Sequence, residues 1–420
     1  MRALPDTYTG LSGSTNSGYV GAFTGPTFFF GVHTIGFSSG SNKDSYQTVS
    51  AHPAALDELS SPDSAGVILG LPNDNFAKIS SGAAAGEANL ALFSGNLSTG
   101  SSTHSEILID GHNAYLPKTL AGIAVDVTSV PAATISMSRS ASTGEWTIRE
   151  SYPLRSCAGD PAGYPQGSAT CTPVATGVTL QRSVVTSRGG AVTTVRDRFV
   201  SIDHAAHTAK IEYFNLIAGG TSGNPGIRFP GQTSFHVLTP GTTVTSLPVG
   251  PHTVFMSSDI YGTDGEPNHA DTGLTYSGKP KLFEASTQAF GLQYSRAIPK
   301  NGFAGFAFGL ENGFSMQTIT PWAAAMQTAL TPHLALTAPA LKTSDNTPTI
   351  KGKVTNATNG FPAKVTITIG TKSRTVAVNQ STGVFAVTWT TLANGKHTAK
   401  AKATDPSGLV LRASRTFTCT

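Results

Sequence analysis

Between Ser258 and Gly273 the chain gathers Asp259, Tyr261, Asp264, Glu266, Asn268, His269 and Asp271 into one short stretch, in a sequence where charged residues make up only 12%. Three readings are open to such a set. Hard carboxylate oxygens at Asp259, Asp264, Glu266 and Asp271 suit Ca²⁺, and His269 would extend the set toward a transition metal. A carboxylate pair, Asp264 with Glu266 or Asp271, could do acid and base work on a polysaccharide, with Tyr261 or His269 as the alternative proton carrier. The third reading is a polar turn, because Asp264-Gly265 and Pro267-Asn268 are turn dipeptides. The spacing departs from the D-x-[DN]-x-[DN]-G pattern of a calcium loop, and the turn is the reading it favours.

Other candidates are thinner. Gly36-Phe37-Ser38-Ser39-Gly40 matches the GxSxG nucleophile elbow, with His33 just upstream. An elbow needs a strand entering and a helix leaving within a β/α sheet, whereas this segment runs on into polar residues. Asp203, His204 and His207 lie in DHAAH without a further strong ligand nearby, which predicts a solvated turn rather than a metal site. Arg196, Asp197 and Arg198 predict a cross-strand surface ion pair worth a fraction of a kcal/mol.

The elements that must hold these residues read as sheet. Gly (45) and Pro (25) are abundant while the charged fraction of 12% is about half that of an average soluble protein. Such a composition suits antiparallel strands with tight turns better than long surface helices. Short apolar runs with period two recur from Tyr19 onward, as at Ile123, Val125 and Val127. The expected class is all-β: a large antiparallel β-sandwich or supersandwich over 20–319, with two sub-sandwiches as a variant, after a flexible segment at 1–19. Within it, 178–218 predicts a three-strand meander turning at SRGG and at IDHAAH. The 258–273 loop would join HTVFMSSD to GLTYS at one end of the sandwich, where functional loops collect. A cleft bringing its carboxylates to Arg228, Tyr276 or aromatic side chains would favour an enzyme. A short helix is expected at 320–333, with Thr320 as cap and Pro321 at the first helical position.

Cys157 and Cys171 bracket the loop AGDPAGYPQGSAT, and a disulfide between them would close a Gly/Pro-rich loop for roughly 3 kcal/mol. That gain belongs to an oxidising compartment; Cys419 is then left over, as it would be if a further domain followed. No apolar run is long enough to span a membrane, and MRALPDTYTG lacks the apolar core of a signal peptide. Composition and the expected bridge favour an extracellular protein whose signal has been removed. The net charge of +4 hides an imbalance: residues 331–420 carry 11 Lys and Arg against 2 Asp and Glu, and residues 1–330 carry 17 against 22. The basic lysines alternate along strands without interleaved aromatics, which predicts a solvated strand face and no nucleic-acid site.

From Leu334 to Cys419 the pieces TSDNTPTIKGKV, KVTITIG, TVAVN, STGVFAVTW, LANGKHT and AKATDPSG resemble a bacterial immunoglobulin-like domain of the kind carried by secreted and surface proteins. The resemblance implies a spacer, stalk or sugar-binding adjunct at 334–420. The residues agree with a sandwich in their own right: Val365, Ile367 and Ile369 share one face, as do Phe385, Val387 and Trp389, while Ala399, Ala401 and Ala403 turn inward and Lys400 and Lys402 outward. Asn394-Gly395 is a dipeptide that type I′ hairpins prefer. Together these features predict a secreted or cell-surface protein with a structural, adhesive or glycan-binding role, a polysaccharide or cell-surface component as partner, and sheet edges able to pair between molecules. A secreted carbohydrate-active hydrolase or lyase, with the large β-domain as catalytic unit, is the alternative.

Overall fold

A computed structural model describes residues 104–114, 134–140, 142–143, 145–157, 170–171, 173–187, 192–218, 226–237, 244–257, 260, 271–286, 289–313 and 316–420, with strand pieces at Thr7–Thr9, Gly21–Thr24, Phe29–His33, Leu69–Gly70 and Ala124–Val125. The protein is all-β apart from one helix among these residues. Strands are numbered in chain order. A ten-stranded sheet runs, edge to edge, through β1 (Thr7–Thr9), β8 (Thr134–Arg139), β9 (Trp146–Cys157), β11 (Pro173–Ser187), β12 (Val192–Ser201), β21 (Phe303–Gly313), β18 (Asp271–Tyr276), β17 (His252–Ser257), β14 (Gly226–Arg228) and β15 (His236–Val237). A six-stranded sheet packs against it in the order β16 (Thr245–Ser246), β19 (Lys281–Ser286), β20 (Ala289–Ile298), β13 (His207–Ala218), β5 (His104–Ile109) and β6 (His112–Ala114). Small pairings join β2 (Gly21–Thr24), β3 (Phe29–His33) and β4 (Leu69–Gly70), and β10 (Thr170–Cys171) with β7 (Ala124–Val125).

The two large sheets enclose one core. Leu180, Val195, Phe199, Leu274, Phe306 and Phe308 project from the ten-stranded sheet and Ile211, Tyr213, Leu292 and Tyr294 from the other, all buried. Strict alternation puts every second residue of these strands there and sends its neighbours to the opposite face. On that opposite face lies helix α1 (Met316–Leu330), whose Ala323, Met326 and Leu330 are buried, with Met326 and Leu330 packed against Val192 and Ala307.

The helix begins earlier than the sequence suggests. Pro321 stands inside it, and Thr320 bonds back to the Met316 carbonyl (2.5 Å) instead of capping. As the sixth helical residue, Pro321 lies past the first four amides that lack an intrahelical acceptor, and it offers no N–H to the Gln317 carbonyl one turn earlier. Among the described residues no helix is long and apolar enough to cross a membrane.

The expected meander is only half present. β11 and β12 form an antiparallel hairpin with Ser187 opposite Val192, but β13 leaves for the six-stranded sheet, between β20 and β5. IDHAAH is therefore an inter-sheet crossing, with His204 at φ 64°. Alternation reports that a segment is a strand; it does not report which sheet receives it.

A second sandwich follows α1. One sheet holds β22 (His333–Ala338), β24 (Thr349–Thr355) and β27 (Val384–Thr388); the other, in spatial order, holds β23 (Lys342–Thr343), β29 (Val410–Cys419), β28 (Gly395–Thr404), β25 (Lys364–Ile369) and β26 (Lys372–Ala377). Val365, Ile367, Phe385, Trp389, Ala399, Ala401 and Ala403 fill its core, and Cys419 is buried there as a free thiol. Asn394-Gly395 precedes a strand of the other sheet, so it closes no hairpin with β27; Gly395 takes φ 127° at the start of β28.

Candidate functional site

The loop that opened the sequence analysis connects β17 to β18, which pair antiparallel with Ser257 opposite Asp271. Asp259, Asp264, Glu266 and His269 lie outside the described residues, as do Ser38 and the rest of GFSSG. Asp271 is placed by its backbone as the first residue of β18, opposite Gly313 of β21. Ile260 packs where a side chain on Gly226 of β14 would lie, one strand in from the edge of the large sheet.

Arg228 and Tyr276, the two residues expected beside that loop, sit on opposite faces of the sheet. Tyr276 is fully buried in the sandwich core, where desolvation pushes its phenol well above the ordinary range. Arg228 lies on the helix side with its guanidinium between Phe255 (4.6 Å) and Phe235 (5.1 Å), a cation held on aromatic faces. The two therefore do not line one cleft. Register aligns Arg228, Phe255, Gly273, Glu311 and Val192 as one row across five strands.

Glu311 is the residue that sequence reasoning missed. It is 0% exposed, and burial raises its carboxyl pKa to about 8, only partly offset by the hydroxyl of Thr275. A relay leads to it: the Gln327 amide of α1 donates to Thr253 (2.8 Å), Thr253 meets Thr275 (2.8 Å), and Thr275 donates to Glu311 Oε2 (3.0 Å). Oε1 has no partner among the described residues. Gly273 leaves the space this carboxyl occupies, since a Cβ there would come within 2.6 Å of Oε2. Burial thus favours the protonated acid, which is shut away from solvent. Its one sequence signal is a lone carboxylate at an outward position of FAGFAFGLEN, which ordinarily marks a solvated residue.

The Arg196, Asp197, Arg198 expectation needs correction. Asp197 faces the core, where Arg182 grips it through Nε (2.6 Å) and Nη2 (2.5 Å) and Tyr213 of the facing sheet donates its hydroxyl (2.5 Å). Both members of the pair are fully buried. Arg196 and Arg198 point the other way, to the Ala329 carbonyl (3.0 Å) and over the Phe303 ring (3.9 Å). With no solvent access, the trio ties the two sheets together and offers nothing to a substrate. A buried pair of this kind is weak evidence for net stability but costly to halve.

DHAAH is likewise not a solvated turn at His207. Its Nδ1 meets Asp110 Oδ2 (2.7 Å) and its Nε2 meets Asp203 Oδ1 (2.9 Å), and the ring is buried. Burial works against its charge, but the bonds to Asp203 and Asp110 outweigh it and the pKa is raised. The hydrogen bond from His207, then that from the Ala205 amide, lowers Asp203 to about 2. Both ring nitrogens are engaged, and no group of three His, Cys, Asp or Glu among the described residues could hold a metal ion. His204 turns outward to Asn301 Oδ1 (2.5 Å).

A further constellation joins the two sandwiches. Arg296 of β20 donates through Nη1 to the carbonyls of Gly305 (2.8 Å) and Asn359 (2.9 Å). Asn359 is buried and donates to Asp405 Oδ2 (2.9 Å), while Asp405 Oδ1 accepts from Ser407 and Leu409 amides (2.8 and 2.9 Å). Phe303 meets Phe361 edge-on at 5.5 Å. Gly305 is required by close approach, because a Cβ there would collide with the Thr358 carbonyl. The end of α1 is capped from the second sandwich as well as from Arg196: Asn356 Nδ2 donates to Ala329 and to Thr331, just past the helix (2.7 Å each), and Thr358 to Leu330 (3.2 Å).

Cys157 ends β9 opposite Pro173, the first residue of β11, and Cys171 lies two residues before Pro173, in β10, which pairs with β7. Their side chains lie outside the described residues.

No family model matches the chain, and no curated protein does. Among solved structures it is similar to a polysaccharide lyase (7% identity, 58% of this chain and 34% of that one, TM-score 0.24). It is also similar to an alpha-galactosidase from Lactobacillus brevis (10%, 54% and 29%, TM-score 0.29), and to a Bacteroides ovatus mixed-linkage glucan utilization protein in complex with a heptasaccharide (10%, 75% and 61%, TM-score 0.16). The chain spans about a third of the length of the first two. None of these superpositions reaches the level at which a shared site follows.

Proposed function

We propose that the protein is a secreted or cell-surface β-sandwich protein with a structural, adhesive or glycan-binding role, its C-terminal sandwich acting as an immunoglobulin-like spacer or adjunct. The observation that carries this reading is the junction. Arg296, Asn359 and Asp405, the Phe303–Phe361 contact and the caps on α1 fix the second sandwich to the first. A spacer held by buried polar contacts presents the large domain at a set angle, which suits display or adhesion better than a tethered catalytic unit. Low charge and abundant hydroxyls fit an extracellular setting, as the expected Cys157–Cys171 bridge would. Among the described residues, the carboxyl best poised as a proton donor near neutrality, Glu311, is sealed beneath α1, where it meets no substrate.

The test is a panel of insoluble polysaccharides and cell-wall preparations, scored for both co-sedimentation and newly released sugar ends, with Asp264→Ala alongside. Co-sedimentation without release, unchanged in the variant, is expected. Release of sugar ends that disappears in the variant would make the loop an active site and replace this reading with a carbohydrate-active enzyme.

A further inference from the structure

The five-stranded sheet of the second sandwich has an outer face with an unusual charge pattern. Along β28, Lys396, Lys400 and Lys402 are exposed while Ala399, Ala401 and Ala403 are buried. Register sets Lys402 between Arg412 of β29 and Thr366 of β25, and Lys400 between Ser414 and Thr368. Lys342 of β23 and Lys396 flank Thr418, and Lys364 opens β25 on the same side. Between the cations, hydroxyls pair across strands: Thr398 with Thr416 (3.0 Å), Thr366 with Thr375 (3.1 Å), Thr368 with Ser373 (2.8 Å).

The sandwich has two carboxylates to set against its cations, and neither reaches this face. Asp405 is buried at the junction, and Asp345 lies in the loop after β23, accepting from Thr347. Same-side residues of this sheet repeat about every 7 Å along a strand and about 5 Å between strands. Rows of unpaired cations separated by hydroxyls complement a polymer that carries regularly spaced anions and hydroxyls of its own. The aromatic residues of these strands, Phe417 and His397, belong to the inward-facing series, so bases would find no ring to stack on.

We propose that this face, centred on Lys400, Lys402 and Arg412, docks a carboxylate-bearing polysaccharide. The proposal rests on the glycan-binding reading above and assigns it a surface and a ligand class. Binding there is electrostatic, lies outside the 258–270 loop and weakens with salt.

Polygalacturonate, a neutral glucan and single-stranded DNA would be compared as ligands for the full chain in low and high salt. Wild type is expected to bind polygalacturonate, and Lys400→Glu/Lys402→Glu/Arg412→Glu to lose at least about tenfold in affinity through like-charge repulsion. Lys351→Glu/Lys353→Glu, on the opposite sheet, should bind as wild type does. If the triple variant fails to fold, the corresponding Gln substitutions, which only remove charge, should still weaken binding. Binding of the neutral glucan alone, or polygalacturonate binding that survives the triple variant, would overturn the assignment and leave the glycan reading standing. Failure of wild type to bind any polysaccharide, including the wider panel, would end both. Tighter binding of DNA than of polygalacturonate would hand the face to nucleic acid. Dimerisation abolished by the triple variant would hand it to a second copy of this chain.

Discussion

Arg296 of the large sandwich donates to the main-chain carbonyl of Asn359 in the small one at 2.9 Å, and through Asn359 it stands beside the buried carboxylate of Asp405. The pairing makes the junction a part of both cores rather than a linker. Arg296→Ala should therefore destabilise by roughly 2–4 kcal/mol, because two carbonyls and a carboxylate lose their cation. Calorimetry should show one cooperative transition in wild type and two in the variant. A variant that still melts as a single unit would show the junction to be passive.

Asn356→Ala removes one of two side-chain donors to the Ala329 carbonyl, which keeps Arg196, and the donor to Thr331 just past the helix. The expected cost is about 1 kcal/mol, with faster hydrogen exchange confined to the last turn of the helix. Uniform exchange across the helix would contradict the capping role.

Glu311 has a folded pKa of about 8, above the roughly 4.3 of an exposed glutamate. The folded state thus binds a proton that the unfolded state has already released. The associated stability is complete below about pH 4 and declines as pH rises through about 8. Glu311→Gln keeps the shape and removes the titration, so its melting temperature should fall less than wild type's between about pH 5 and 8. Identical pH profiles would mean that Glu311 is ionised in the fold.

The His207 clip titrates with two signs. His207 is raised by its two carboxylates, so its contribution is complete below about 6.5 and is lost as pH climbs through the folded value. Asp203, lowered to about 2 from 3.8, contributes above 3.8 and loses its share as pH falls through about 2. The clip is at full strength between those limits. NMR titration should find His207 above a free histidine, and in His207→Gln the Asp203 carboxyl should titrate higher than in wild type, with the Ala205 amide still holding it below the ordinary value. A His207 signal at or below the free value would refute the clip.

With three cysteines in the chain, the proposed Cys157–Cys171 bridge leaves Cys419 as the free thiol, buried and with its pKa pushed up by desolvation. Alkylation without reductant should label none in the native protein and Cys419 alone after unfolding. Labelling of all three after unfolding without reductant would exclude the bridge.

Local pattern was readable in the sequence wherever burial follows parity. Ala399, Ala401 and Ala403 against Lys400 and Lys402 is the plainest instance, since a lysine left unpaired in a core would cost far more than any strand preference could recover. The same rule misplaced Asp197, because an aspartate flanked by arginines reads as surface until Arg182, fifteen residues earlier, is seen to enter the core with it. Glu311 was hidden in the reverse way: its position faces outward from the sheet, and only α1 makes that side an interior. Crossings at IDHAAH and at Asn394-Gly395 looked like hairpins because a turn dipeptide encodes local dihedral angles and not the destination of the next strand.

The caps on α1 also set an order of events. The Ala329 carbonyl receives side-chain donors from Arg196 of the large sandwich and from Asn356, 27 residues later, and the Leu330 carbonyl receives one from Thr358, 28 residues later. A chain emerging from its N-terminus can therefore complete this helix end only after the first strands of the small sandwich have appeared. The second sandwich works as the clasp by which this helix end is finished, and truncation near residue 340 would leave it partly undone.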